Sequence, residues 1–425
     1  MNAALITRRQ TLLLSALALA SLPAQASAPR RLPKALWSFQ TGARVVSSLV
    51  AHQGLILVGS DDGHLYALEA ASGRLRWAYR TGGPVSGTPR VADGTAYVMS
   101  YDGRLHAVDV ASGQPRWKFA TEGERRFEAR GLHGSQPRSQ TVADPFDVYL
   151  SRPAIEQGLV IFGCGDGKLR ALDASSGALR WSHDCGEVVH ASPAVAGGRV
   201  IVGDWASRLW ALDLQTGREL WKFQAGVDAL MANQQGFQSS PTVDEALGLV
   251  FVGCRDSHCY AIDLRNGQER WRFSTGASWV VGTPAVQDGK VVFATSDSSL
   301  IHIHEAASGK ALAQQQAKSY MFASPVVAGD VLLMGALNGS LEARDWPSGA
   351  LLWTWRTPAA RANRGWVLTA DGRFNTALNF ASNWREAMAL GFDRQSSVGS
   401  IFSTPVVDQG RIIFGSADGR VYALG

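Results

Sequence analysis

A chain of 425 residues with forty-five glycines, fourteen tryptophans and a formal net charge of +5 has room for two or three ordinary domains, or for one repeat domain with a large core. Only 18% of its residues are charged and the basic ones are dispersed, which argues against nucleic acid as a partner. Apolar β-type runs punctuated by Asp-Gly and Ser-Gly turns exclude a mainly helical protein.

In chain order, residues 1–28 read as a signal peptide. Arg8 and Arg9 form a basic start, Leu12 to Leu22 are mostly apolar, and Ala24-Gln25-Ala26 or Ala26-Ser27-Ala28 offers a cleavage site near residue 26 or 28. Thr7 to Leu13 is similar to a twin-arginine signal, and an ordinary secretory signal fits as well. The apolar run is too short to span a bilayer, and no cysteine follows it to carry a lipid anchor. Residues 29–425 are therefore expected to be periplasmic and monomeric, without a membrane span.

An eleven-residue pattern, Ala-x-Asp/Glu-x-x-Ser/Thr/Asn-Gly-x-x-x-Trp, then recurs. It starts at Ala67, Ala107, Ala171, Ala211, Ala261 and Ala343 and ends in Trp77, Trp117, Trp181, Trp221, Trp271 and Trp353. A seventh copy, from Ile303 to Ala313, lacks the tryptophan. The eighth is split, because the chain stops at Tyr422-Ala423-Leu424-Gly425 and the missing continuation stands at Ala35-Leu36-Trp37. Upstream of each copy lies a second landmark, at Ser48, Thr88, Arg152, Ser192, Ser240, Thr283, Ser324 and Thr404, which leads into a Val-rich run. Two landmarks thus count eight units of about forty residues, each reading as four short antiparallel strands. A four-stranded unit at this period is a β-propeller blade. The expected fold is an all-β, eight-bladed propeller over residues 29–425, with the N-terminal strand completing the C-terminal blade. In each motif the acid is expected to cap a turn, the glycine to supply φ > 0, and the tryptophan (Trp37 included) to pack between blades with its indole N–H on a carbonyl.

Over residues 35–425 the chain resembles the pyrroloquinoline-quinone (PQQ) repeat family of eight-bladed propellers, which includes quinoprotein dehydrogenases and the outer-membrane assembly propeller BamB. The dehydrogenase branch implies PQQ in a central cavity with Ca²⁺ and, in the alcohol dehydrogenases, two adjacent cysteines. This sequence has no Cys-Cys pair, and Asp61, Asp62, Asp102, Asp166, Asp256 and Asp418 fall in turns. No catalytic residue and no firm cofactor is assigned. A PQQ-dependent dehydrogenase and a small-molecule or metal sensor using the axial cavity stay as alternatives.

Other candidates are few. His302 and His304 alternate on one strand of the degenerate unit and form a weak metal pair. His190 and Arg152 are placed towards the central channel, His190 as a hydrogen-bonded structural residue. With Asp256-Ser257 read as a two-residue turn, Cys254 and Cys259 stand opposite each other, and a disulfide is expected between them. The state of Cys164 and Cys185 stays open.

Three spacings exceed the repeat, giving insertions near 122–147, 226–238 and 358–398, all on one rim because strands alternate direction. The first offers Arg125, Arg126, Phe127, Arg130 and His133; the second, Met231, Asn233, Gln234, Gln235 and Phe237; the third, Arg361, Arg364, Trp366, Phe374 and Trp384. A short helix is expected from Asn383 to Leu390. Arginine and aromatic side chains make recognition surfaces, while a set of inward plugs fits the same loops. The function expected is a non-enzymatic scaffold for a periplasmic or outer-membrane protein or peptide, most similar to the assembly propeller.

Overall fold

A computed structural model describes residues 27–226, 235–378 and 380–425. Met231, Asn233 and Gln234 lie outside the described residues. Eight four-stranded antiparallel sheets form the body. We letter the strands of each blade A to D from the axis outward. Blade 1 is Val50–His52, Leu55–Gly59, His64–Glu69 and Leu75–Arg80. Blade 8 takes Val406–Asp408, Arg411–Gly415 and Arg420–Leu424 from the end of the chain, and Ala35–Gln40 as its outer strand. The split eighth unit therefore closes the ring, Trp37 pairing with Ala423.

Strand B is short and almost wholly buried in every blade, as in Leu159–Gly163 and Leu249–Gly253. Both of its faces meet neighbouring blades, so a continuous apolar run replaces alternation. Strand D alternates instead, as in Glu219–Gln224, and edges the disc.

The motif turn works through short-range chemistry. Asp173 Oδ1 accepts from the backbone N–H of Ser175 and Ser176 at 3.1 and 3.0 Å. Gly177 has φ +73°, and a Cβ there would lie 2.7 Å from Trp117 of the preceding blade. Only glycine meets both demands. Each tryptophan lies over the motif turn of the next blade. Trp37, Trp77, Trp117, Trp181, Trp221 and Trp271 donate Nε1–H to the carbonyls of Ala70, Val110, Ala174, Leu214, Leu264 and Ala306, at 2.8–3.1 Å. Trp353 faces blade 8, where the motif is cut, and donates to Pro29 of the N-terminal segment at 3.0 Å. Arg30 holds that segment by ion pairs to Asp330 and Asp345 at 2.7 Å each.

The seam between blades 6 and 7 is built differently. Ala313 is too small to reach across, and the Gln315 side chain covers Gly349. Glu342 and Arg344, both buried, pair at 2.6 Å, and Arg344 donates to the carbonyls of Gly349 and Gln316. An ion pair thus fills the seam that lacks its indole.

Candidate functional site

All D-to-A connections and B-to-C turns emerge on one face, because the strands alternate. The acids of the B-to-C turns are engaged there. Asp62, Asp102, Asp166 and Asp418 each bind the side chain four residues on, at 2.6–3.0 Å: Tyr66, His106, Arg170 and Tyr422. Asp256 does the same with Tyr260. Asp62, Asp102, Asp166 and Asp256 also accept a backbone N–H from the connection entering from the previous blade. Asp61 receives Arg44 at 2.8 Å. These carboxylates stitch blades together.

Above the axis the connections converge. Val46, Val148, Trp279, Phe322 and Phe402 bury against one another, with Phe146, Phe374 and Phe392 packed alongside. They come from the connections into blades 1, 3, 6, 7 and 8, so their shared contact sits on the axis and seals that end of the channel. Tyr149 Oη donates across it to the Phe402 carbonyl at 3.0 Å.

The first insertion is clamped onto this plug by charge. Asp144 is fully buried and takes Arg255 at 2.5 Å and His133 at 3.0 Å. Burial alone would raise its pKa, yet the Arg255 guanidinium and His133 hold it well below the usual carboxylate range. Arg255 itself lies between the faces of Trp205 and Trp279, its guanidinium carbon 4.8 and 3.7 Å from their centroids. Phe127 stacks on Trp205 at 4.9 Å and 11°. Phe237 is buried against Tyr260, and Gln238 donates to the Phe146 carbonyl at 2.6 Å.

His190 forms a second clamp. Its Nδ1 meets Asp147 at 2.7 Å and its Nε2 meets Glu124 at 2.8 Å, with all three side chains at most 1% exposed. Burial pushes the imidazole pKa down, but the two carboxylates outweigh it and raise it from 6.5 to about 10. A raised folded-state pKa stabilises fully below pH 6.5, and that stability is lost as pH rises towards about 10. The thermal midpoint should therefore fall between pH 7 and 10, and His190→Gln should flatten that slope. A slope unchanged by the substitution would show the imidazole uncharged.

Several expectations change. The bridge between Cys254 and Cys259 is not formed, and all four cysteines are free and buried. The turn holds three residues rather than two: Gly253 stands opposite Cys259, and the Cys254 N–H donates to the His258 carbonyl. One extra residue puts the two sulfurs on opposite faces, Cys254 in the core shared with blade 4 and Cys259 in the core shared with blade 6. His302 and His304 do share a face, 6.2 Å apart, but each is packed rather than open. His304 lies flat on Phe273 at 4.0 Å, with Nδ1 on the Gly309 carbonyl. Burial and then His304 depress the His302 pKa to about 4. Among the described residues no three His, Cys, Asp or Glu side chains gather into a metal-holding group.

Of the loop candidates, Phe127, His133 and Phe237 point inward. Arg126 lies over the Tyr101 ring, while Arg125 is exposed beside Glu187 at 2.9 Å. Arg130 is exposed, and Gln235 is half-buried. The third insertion differs. Its helix α1 spans Pro358–Ala362, and α2 spans Trp384–Ser397 with Asn383 capping it, one turn and more beyond the expected end at Leu390. Between them Phe374 packs on Tyr320 and the axial plug, yet Trp366 is 64% and Phe380 74% exposed. Arg361 and Arg364 are exposed, and with Leu32 and Trp355 they line a cleft of about 260 Å³. Trp384 is half-buried under Arg385.

Sequence reasoning passed over Asp144, Asp147, Arg255, Trp205 and Trp279. The two tryptophans were visible as large rings outside the motif, Trp205 following Asp204 in a B-to-C turn where Asp61, Gly165, Ser296 and Ala417 stand in blades 1, 3, 6 and 8. On the opposite side of the plug, the channel forms a cavity of about 720 Å³, whose charged lining is Arg90, Arg152 and Glu156. That set is not the convergent carboxylate donor set that a quinone held with Ca²⁺ needs, so these residues do not fit that cofactor.

Comparison with known proteins follows the architecture. The family described as outer membrane protein assembly factor BamB matches residues 33–150, 144–354 and 255–425. No curated protein matches the chain at a significant level. Among solved structures, BamB from Moraxella catarrhalis superposes with a TM-score of 0.67 at 16% identity, over 92% of this chain and 99% of that one. The computationally designed protein Ika8 superposes with a TM-score of 0.65 at 16% identity, over 93% of this chain and 99% of that one. At that identity the likeness is one of fold.

Proposed function

Because the chain belongs to the family of outer membrane protein assembly factor BamB, we propose that it is an exported, non-enzymatic scaffold that holds an envelope protein or an extended peptide. The observation carrying this reading is the contrast between its insertions. The first is folded onto the axis by buried ion pairs and the described end of the second is buried at Phe237, whereas the third leaves Trp366 and Phe380 out in solvent and carries the exposed Arg361 and Arg364. Aromatic and arginine side chains supply most of the energy at protein interfaces, and exposing two large rings without a partner is costly in a soluble chain. The signal-like composition of residues 1–28 supports a periplasmic location for the scaffold. No helix among the described residues is long and apolar enough to cross a membrane.

Site-specific photo-crosslinking in living cells tests it. A photoreactive residue at position 366 or 380 should give a discrete adduct with an envelope protein. The same probe at Leu247, exposed in the turn between strands A and B of blade 5 on the opposite face, should give none. Trp366→Ser with Phe380→Ser should abolish co-purification of that partner while leaving the unfolding midpoint unchanged. Adducts absent from 366 and 380, or equal at all three positions, would remove the reading.

A further inference from the structure

The channel beyond the plug has an arrangement that the scaffold role does not use. Seven of the eight blade starts place a hydroxyl on its wall: Ser48, Thr88, Ser192, Ser240, Thr283, Ser324 and Thr404. The eighth is Arg152. Two residues after each start the inner strand carries a small or apolar side chain or a threonine, except in blade 2, where Arg90 stands. Both departures from an eightfold pattern are thus arginines, Arg90 on the inner strand of blade 2 and Arg152 just before that of blade 3, and both line the same cavity.

Neither guanidinium makes an ion pair or side-chain hydrogen bond with the described residues, and Nε of each is buried without a partner. Glu156, the carboxylate lining this cavity, is exposed and not paired with either. Burial, and then the nearby Arg90 charge, depress the Arg152 pKa to about 10. Two like charges brought together in a half-buried wall call for a negative partner.

The hydroxyls suit the same partner. The backbone N–H of Arg152, Ser192, Thr283, Ser324 and Thr404 donates to the hydroxyl oxygen of the next blade, at 2.8–3.2 Å. An oxygen that accepts from the backbone keeps its own O–H to donate. The wall therefore presents donors: two guanidinium forks and a ring of hydroxyl hydrogens, in a cavity sealed at one end.

We propose that the axial cavity binds a small oxyanion with two or more negative oxygens, a di- or tricarboxylate or a phosphate, with Arg90 and Arg152 as its charged ligands. Guanidinium forks match both chemistries bidentately. The site does not depend on the partner surface of the third insertion, which lies on the other face.

Calorimetric titration of the purified chain with citrate and with inorganic phosphate, in a chloride buffer, tests the site and separates the two sources. At least one should bind saturably with one site per chain, and more weakly as salt is raised. Arg90→Gln and Arg152→Gln should each weaken binding about tenfold or more, and the double variant should abolish it. Arg152→Ser restores the hydroxyl of the other blades. It should weaken binding as Arg152→Gln does, yet raise the unfolding midpoint in anion-free buffer, because it removes an unpaired charge. That rise shows that the fold persists, so weakened binding cannot be ascribed to unfolding. No saturable heat from either anion at millimolar concentration, or equal affinity in the double variant, would overturn the proposal.

Discussion

Asp144→Asn is expected to destabilise the folded chain by about 3–5 kcal/mol, the cost of leaving one partner of a buried ion pair uncompensated. Arg255 is fully buried, 2.5 Å from Asp144, and enclosed by two indoles, so water cannot replace the lost carboxylate. The measurement is the denaturant midpoint, combined with hydrogen exchange over residues 127–147. Exchange there should quicken before the blades open, since Asp144 is what ties that insertion to blade 5. Asp144→Leu combined with Arg255→Met should recover much of the loss, because a dry apolar pair has no charge to strand. A midpoint unchanged in Asp144→Asn would mean that the plug carries no weight in stability.

Trp181→Ala should cost a similar amount, about 3–5 kcal/mol, the range for removing a large buried aromatic side chain. The indole fills the space over Gly217, where a Cβ would fall 2.6 Å from it, and its loss also leaves the Leu214 carbonyl without a donor. The converse change is informative. Ala313→Trp should destabilise rather than repair its seam, since Gln315, Glu342 and Arg344 already occupy the space. Urea titrations of both variants check this. A stabilised Ala313→Trp would show that the seam between blades 6 and 7 is merely deficient.

How much of this was legible beforehand follows the range of the interactions. Asp173, Gly177 and Trp181 act within eleven residues and one adjoining blade, so their spacing displays the blade itself, and counting gave the ring. The turn after Cys254 is ambiguous in sequence because Asp256-Ser257 fits a two-residue or a three-residue loop alike. The backbone pairing of Cys254 with His258 decided it, and one residue moved the two sulfurs into different cores.

The insertions show the other limit. Phe127, Phe237 and Trp366 have the same composition-level signature, yet two are buried and one is open. Phe237 is buried against Tyr260 of blade 5, whereas the loop of Phe127 is drawn in because Arg255 and His190 reach its acids. Those partners are 111 and 43–66 positions away in sequence. Repeat chemistry is local and recurs, so the sequence alone determined eight blades, the indole seams that follow the motif and the shared last sheet. Loop direction, charge pairing and the meeting of Arg90 with Arg152 depend on distances set when the ring closes, and only the tertiary structure decided them.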